Sequence, residues 1–436
     1  MHLRKLEITN IRSISRATLD FRSGEEPGWH VILGPNGAGK SAIIRSFALA
    51  CMGEKESYAT RQDFNTWIRK GEDEARIGAQ FSHDSRYDVL AGGGQPPQKP
   101  INVSVDLERG DDLFETNATL IFSGERHSRT IWGGAPGWFS ASFGPFRRFT
   151  GGDRIYDRIF LSNRRLAPHL TALGEDVALT EAMAWLTSLH VERLQSRNEE
   201  GVSDADSIIE FVTAFFNESN FLPHHARISH ITKDNVYIED GDGALVPLDQ
   251  LSDGYRSALS LAIELIRQMF ELFTDDVVLA SLNKDKNTIT IPGVVAIDEI
   301  DAHLHPTWQQ RIGAWLIRHF PNIQFIVTTH SPIICRAVSS EDGDVTGSVW
   351  KLPTPGTDQS FRRVVGDELE QLVFGDIEDA YGTDLFGSEV GISAQGEAKF
   401  VRLAELNRKA HEEGLSRAEA QERRQLRRIF AIEPAV

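Results

Sequence analysis

Apolar and polar positions alternate along Leu3 to Asn10 and again along Ala17 to Phe21, and Trp29 to Leu33 is a short apolar run. Three strands are predicted. Ser41 to Cys51 then takes helical spacing, and the glycine and proline clusters at 91–100 and 132–138 predict a β-rich, loop-rich stretch after it. The segment 170–216 lacks proline and carries Met183, Trp185, Leu186, Leu189 and Leu194 at helical intervals, so a helical arm is expected. Ala226 to Ile231 and Val236 to Glu239 predict a hairpin followed by the turn Asp240-Gly241-Asp242-Gly243. In the next helix Leu259, Ala262, Ile263, Ile266, Met269, Phe270 and Phe273 form one apolar stripe. Val294 to Ile297 and Phe325 to Val327 have the β-branched, uninterrupted character of strands buried on both faces of a parallel sheet, with the helix Thr307 to Phe320 between them. Asn283 to Thr290 reads as an inserted hairpin or loop, and Gln395 to Ile429 as one helix whose end is basic.

The chain has 436 residues, 40% of them apolar, with 36 glycines and 25% charged residues, which is ordinary globular composition and excludes wholesale disorder. Its two cysteines, Cys51 and Cys335, could form at most one bridge and have no zinc-ligand spacing, so a reduced, cytoplasmic compartment is expected. No apolar run approaches the roughly 18–20 residues that span a bilayer, and no membrane association is expected. Forty-six basic against 63 acidic residues give a net charge of −17. Bulk attraction to a phosphate backbone is disfavoured, and any DNA contact has to be local.

Gly34-Pro35-Asn36-Gly37-Ala38-Gly39-Lys40-Ser41 matches GxxxxGK[ST] between a predicted strand and a predicted helix. Glycines let backbone N–H groups of Asn36, Gly37, Ala38 and Gly39 curl around phosphates, Lys40 suits the β- and γ-phosphates, and Ser41 suits Mg2+. The strand Val294 to Ile297 ends in Asp298 and Glu299, at the carboxyl edge of the expected parallel sheet. Asp298 is the expected Mg2+ holder, and Glu299 the group that polarises the attacking water. Ser252 and Gly254 open the amphipathic helix, where Ser252 serves either as an ordinary helix cap or, with Gly254, as a second anion cradle supplied to another subunit. His330 follows the strand Phe325 to Thr329 and is expected to hydrogen-bond a γ-phosphate.

Taken in order, these motifs resemble the heads of ABC-type ATPases, in the soluble branch that includes RecF, SMC and OLD proteins. Leu6 to Ser13 resembles that branch's first strand, Leu251 to Tyr255 its signature with Asp253 where many members have glycine, Asp301 to Pro306 its D-loop, and Thr328 to Pro332 its switch-histidine segment. Leu248 to Ser257, Ile300 to Trp308 and the segment Phe143-Gly144-Pro145-Phe146-Arg147-Arg148 are most similar to the compact ATPases of anti-phage defence, the PtuA type of the Septu system among them. The resemblance implies an α/β P-loop NTPase of ABC-head type, with an N-terminal β-rich lobe at 1–160, a helical arm at 161–225, a C-terminal ATPase lobe at 226–350 and a helical extension at 351–436. It also implies Mg2+-dependent hydrolysis of ATP to ADP and phosphate, a homodimer or higher oligomer on ATP, and a separate nuclease subunit as partner. Two alternatives stay open: an ATP-gated module that controls a toxin or regulator without touching DNA, and a RecF/SMC-like repair ATPase. Gln80, or the 144–148 segment in its place, is the candidate for the Q-loop position.

Overall fold

The alternation at the start of the chain becomes an antiparallel sheet in the computed structural model. The structure describes all residues except 95–96, 98, 112–115, 146–163, 175–179, 199–203, 223, 341–342, 358, 376–393, 413 and 430–436. Strands β1 (His2–Ile11), β2 (Ile14–Asp20), β4 (Glu74–Ser82), β5 (Ile101–Glu108) and β6 (Thr119–Gly124) pair in the order β2-β1-β4-β5-β6. Leu3, Leu6 and Ile8 are all buried although Leu3 and Leu6 are three apart. A register shift between Leu3 and Lys5 supplies the extra residue that returns both leucines to the inner face.

The second sheet holds β3 (Gly28–Leu33), β7 (Ser140–Phe143), β13 (Gly293–Ile297), β14 (Ile323–Thr329), β15 (Ser348–Lys351) and β16 (Arg362–Val364), ordered β16-β15-β3-β14-β13-β7. All neighbours are parallel except β15 and β16. Every residue of β3, β13 and β14 is buried, as uninterrupted β-branched runs require when both faces are covered. Strand β15 runs across the expected boundary at 350 and pairs with β3. The hairpin at 226–239 gains a third strand, so that β8 (Arg227–Ile231), β9 (Val236–Glu239) and β10 (Leu245–Pro247) form a small sheet. The inserted segment is a two-stranded hairpin, β11 (Leu282–Asn283) with β12 (Thr288–Ile289).

The helical arm consists of Thr180–Asn198 and Asp204–Glu218, and it lies against the helix Asp253–Leu272 through Trp185 and Phe211, whose rings stand 5.6 and 6.0 Å from Phe270. Leu186 and Leu189 are buried as the spacing requires, whereas Leu194, expected on the same stripe, is 47% exposed. Beyond the arm, Phe221 packs 4.4 Å from Trp315 and 5.0 Å from Trp308. This fixes the helix Pro306–His319, which connects β13 to β14.

The chain divides into two units, Met1–Phe374 and Gly375–Val436. In the second, the expected single helix is two, Ala394–Glu412 and Arg417–Ile429, closed on each other by buried Leu403, Leu406 and Leu426. Gly414 has φ 84°, and Ser416 and Glu419 exchange hydrogen bonds as a capping box, with Ser416 N–H to Glu419 Oε2 at 2.9 Å and Glu419 N–H to Ser416 Oγ at 3.3 Å.

Candidate functional site

Parallel pairing sets Leu33 opposite Thr329 and Ile297 opposite Val327, so the loops after β3, β13 and β14 leave one edge of the sheet together. The first is the 34–39 loop. Gly37 and Gly39 have φ of 78° and 108°, and a Cβ on Gly39 would stand 2.7 Å from Ile14 Cγ1 and 2.8 Å from Ser13 Oγ. Both the conformation and the space demand glycine at 39. Asn36 and Gly37 are exposed, Ala38 is buried, and Ser41 is half-buried in the first turn of the helix Lys40–Cys51.

Lys40 is 5% exposed, and its Nζ donates to the carbonyls of Gly34 at 2.8 Å and Pro35 at 3.2 Å. Burial lowers its pKa, while the charges of Glu299, Asp298 and Asp301 act in the opposite direction. These three carboxylates come from the turn after β13. Asp298 is 3% exposed and accepts from Thr328 Oγ1 at 2.5 Å. Glu299 sits at φ 45°, a left-handed conformation that is costly for a residue with a Cβ, and its N–H donates to the same Thr328 hydroxyl at 2.8 Å. Asp301 accepts from Thr329 Oγ1 at 2.5 Å.

His330 completes the group. It is half-buried, and its Nε2 is buried with no hydrogen-bond partner. Burial and the charge of Lys40 lower its pKa against the pull of Asp301, Glu299 and Asp298, which keeps the ring neutral near pH 7.

Ser252 and Gly254 stand in a separate group. Ser252 is at the N-cap of Asp253–Leu272, yet its side chain makes no capping hydrogen bond, so the ordinary cap expected of it does not form; the residue is exposed. A Cβ on Gly254 would stand 3.0 Å from the His303 carbonyl oxygen, so the start of this helix lies against the loop that follows Asp301. His305 caps the helix Pro306–His319 by accepting from Thr307 N–H.

Gln80 is not with these residues. It lies in β4 on the antiparallel sheet, where its Nε2 donates to Asn102 Oδ1 at 2.9 Å. In the alternative segment, Gly144 N–H donates to Thr171 Oγ1 at 3.3 Å, and a Cβ there would collide with the Thr171 carbonyl at 2.1 Å. Residues 146–148 lie outside the described residues.

Three residues inside the motifs named above, Thr328, Thr329 and Arg12, take roles that their motifs do not announce. Thr328 and Thr329 are polar residues that follow the apolar run Phe325 to Val327, and that change of character is the available signal. Arg12 lies over the Trp67 ring at 5.4 Å and, with Ser13, Ser15, Lys70 and Pro353 to Thr357, lines a cavity of about 400 Å3 that reaches Ala38. A larger concavity of about 630 Å3, on the outer face of the antiparallel sheet around Gly78 and Gln80, shares no lining residue with the 34–41 loop.

The family model described as "AAA domain, putative AbiEii toxin, Type IV TA system" matches residues 30–336, which include the 34–41 loop, Ser252, Gly254, Asp298, Glu299, Asp301 and His330 but not Arg12 or the 353–357 loop. The chain belongs to this family. This AAA-domain protein is 29% identical over 352 residues to the Septu protein PtuA of Bacillus mycoides, covering 79% of the chain and 40% of that protein. It is 37% identical over 133 residues to the Retron Ec83 probable ATPase of Escherichia coli, covering 30% of the chain and 22% of that protein. The chain therefore spans less than half the length of these relatives. Among solved structures, an SMC head bound to the C-terminal winged-helix domain of ScpA aligns with a TM-score of 0.48 at 14% identity, over 85% of this chain and 100% of that one. The fold is α/β, with the 34–41 loop joining a strand of the parallel sheet to the helix Lys40–Cys51. Among the described residues no helix is long and apolar enough to cross a membrane.

Proposed function

We propose that this AAA-domain protein binds ATP with Mg2+ at the sheet edge formed by the 34–41 loop and the turns after β13 and β14, and hydrolyses it to ADP and phosphate. The observation that carries this reading is the unpartnered, buried Nε2 of His330, on a ring that feels the charges of Lys40, Asp301, Glu299 and Asp298. A buried polar atom without a partner is costly, and a γ-phosphate oxygen would satisfy it. Backbone N–H groups of Asn36 to Gly39 would cradle the phosphates, and Lys40 would exchange its loop carbonyls for phosphate oxygens. The cavity between Arg12 and the 353–357 loop is suited to the nucleoside.

Ser41 and Asp298 supply a hydroxyl and a carboxylate, hard oxygen donors that fit Mg2+. When bound there, Mg2+ supplies charge neutralisation at the β- and γ-phosphates. Glu299 polarises the attacking water, and His330 hydrogen-bonds the γ-phosphate for as long as it is attached.

Ser252 and Gly254 complete the site of a second copy. The exposed, uncapping Ser252 hydroxyl favours this role over an ordinary cap. ATP then holds a homodimer together, and hydrolysis releases it. On the likeness to the Septu protein, the cycle controls a separate nuclease subunit in cytoplasmic anti-phage defence, with any DNA contact local. The net charge of −17 favours a second reading in which ATP gates assembly with a toxin or regulator and no DNA is touched.

The test is light scattering of Glu299→Gln and Lys40→Ala with Mg2+ and ATP. Glu299→Gln is expected to accumulate as a dimer and Lys40→Ala to stay monomeric; a monomeric Glu299→Gln protein at saturating ATP overturns the dimer mechanism. ATPase rates with and without DNA separate the two readings, since stimulation by DNA counts against the second.

A further inference from the structure

The helix Pro306–His319 carries, in its first turn, a side chain that the proposed chemistry does not use. Gln309 Nε2 donates to the Leu304 carbonyl at 3.0 Å, and its Oε1 accepts from Ser331 Oγ at 2.8 Å. The orientation of the amide is dictated by Leu304, because a backbone carbonyl can only accept. Ser331 is 6% exposed and directly follows His330; its N–H is held by Thr329 Oγ1 at 2.9 Å. Leu304 directly follows His303, whose carbonyl lies against Gly254 at the start of the signature helix. One amide therefore joins the segment that bears the unpartnered imidazole to the loop that lies against Gly254.

We infer that Gln309 is a positioning residue that conveys the presence of a γ-phosphate at His330 to the loop 303–305, and through it to the surface offered to a second copy. The inference rests on the proposed ATP-dependent dimer. The physical basis is the two-ended hydrogen bond. Movement of His330 toward a phosphate oxygen carries Ser331 with it, and Gln309 cannot follow Ser331 while keeping Leu304 unless the loop moves too. A side chain bonded at one end only would absorb the motion. Gln309 is half-buried with both its donor and its acceptor engaged, and this two-ended engagement makes the link stiffer than a single bond would.

Gln309→Leu removes both ends of the link, and Gln309→Glu keeps an acceptor for Ser331 while losing the donor to Leu304. Neither touches nucleotide. ATP affinity and the protomer concentration at half-maximal ATP-driven dimerisation are measured for each variant in a Glu299→Gln background. ATP affinity is expected to stay within about twofold, while the dimerisation midpoint rises about tenfold for both, the size of an ordinary coupling between two sites. A Gln309→Leu protein that dimerises at the unmodified midpoint overturns the inference. Where Gln309→Leu does not fold, Gln309→Glu decides by the same criterion. If the Glu299→Gln parent binds ATP but stays monomeric, the dimer reading fails and this inference falls with it; if the parent dimerises and the variants do so equally, only the role of Gln309 is lost.

Discussion

The Thr328 hydroxyl stands 2.5 Å from Asp298 Oδ1, across the pairing of β13 with β14. The same oxygen receives the N–H of Glu299, whose backbone is left-handed at φ 45°. One hydroxyl thus orients the buried carboxylate and holds the strained residue beside it. Thr328→Val keeps the shape and removes the hydroxyl, and it is expected to cost about 1–3 kcal/mol of stability because a buried carboxylate loses one of its donors. Catalysis should fall further than ATP affinity, since Glu299 is the group released. Denaturant unfolding with kcat and KM measures both, and Thr328→Ser should restore both; an unchanged kcat in Thr328→Val would show that Glu299 needs no such support.

Gly39 is the tightest point of the 34–41 loop. Gly39→Ala meets Ile14 and Ser13 at sub-van der Waals distance and places a Cβ at φ 108°. Strain of this kind costs of order 1–3 kcal/mol. The loop is expected to open away from β2, with ATP binding lost by calorimetry while far-ultraviolet circular dichroism stays native.

Two buried histidines make stability depend on pH. His30, hydrogen-bonded to Ser348 and to the Glu26 carbonyl, is pushed down to about 4, and His169, between Ser140 and Ser142, to about 3, both chiefly by burial. The unfolded chain takes up protons near 6.5 and the folded chain does not, so stability is full above that pH and falls as pH drops toward 4 and 3. At pH 5 each histidine accounts for a loss on the order of 2 kcal/mol. Urea unfolding at pH 7 and pH 5 reads the slope, and His169→Asn should flatten it.

In the second unit, Ser416→Ala removes one half of the capping box. A loss of about 1 kcal/mol is expected, confined to the helix Arg417–Ile429. Hydrogen exchange should quicken there and stay unchanged in Met1–Phe374; equal change in both units would refute a local cap.

Much of the fold could be read from the chain because its signals are local. Alternation marked β1 and β2, unbroken β-branched runs marked the buried strands β3, β13 and β14, and the glycine pattern of 34–41 marked a strand-to-helix turn. Where a local pattern was ambiguous the reading failed. Leu194 fits the helical stripe but faces solvent, and one helix was expected where Gly414 and the Ser416–Glu419 box make two. The candidate site divides in the same way. Asp298, Glu299 and His330 each follow a strand end that periodicity can locate, and Lys40 opens a helix after a glycine loop, so residue type and spacing single them out. Gln80 had only its residue type to recommend it, and strand pairing puts it opposite Asn102 on the antiparallel sheet.

The amino-acid sequence by itself determined the strands β1, β2, β3, β13 and β14, the glycines that permit the tight 34–41 turn, and the residue types at the sheet edge, because backbone preference and apolar periodicity act over a few residues. Only the tertiary structure decided that Thr328 serves both Asp298 and Glu299, that Gln309 joins Leu304 to Ser331, and that His330 keeps a buried nitrogen without a partner. Those relationships are set by the parallel register of strands distant in the chain and by the packing of Trp308 and Trp315 against Phe221, and neither is a property of any short stretch of sequence.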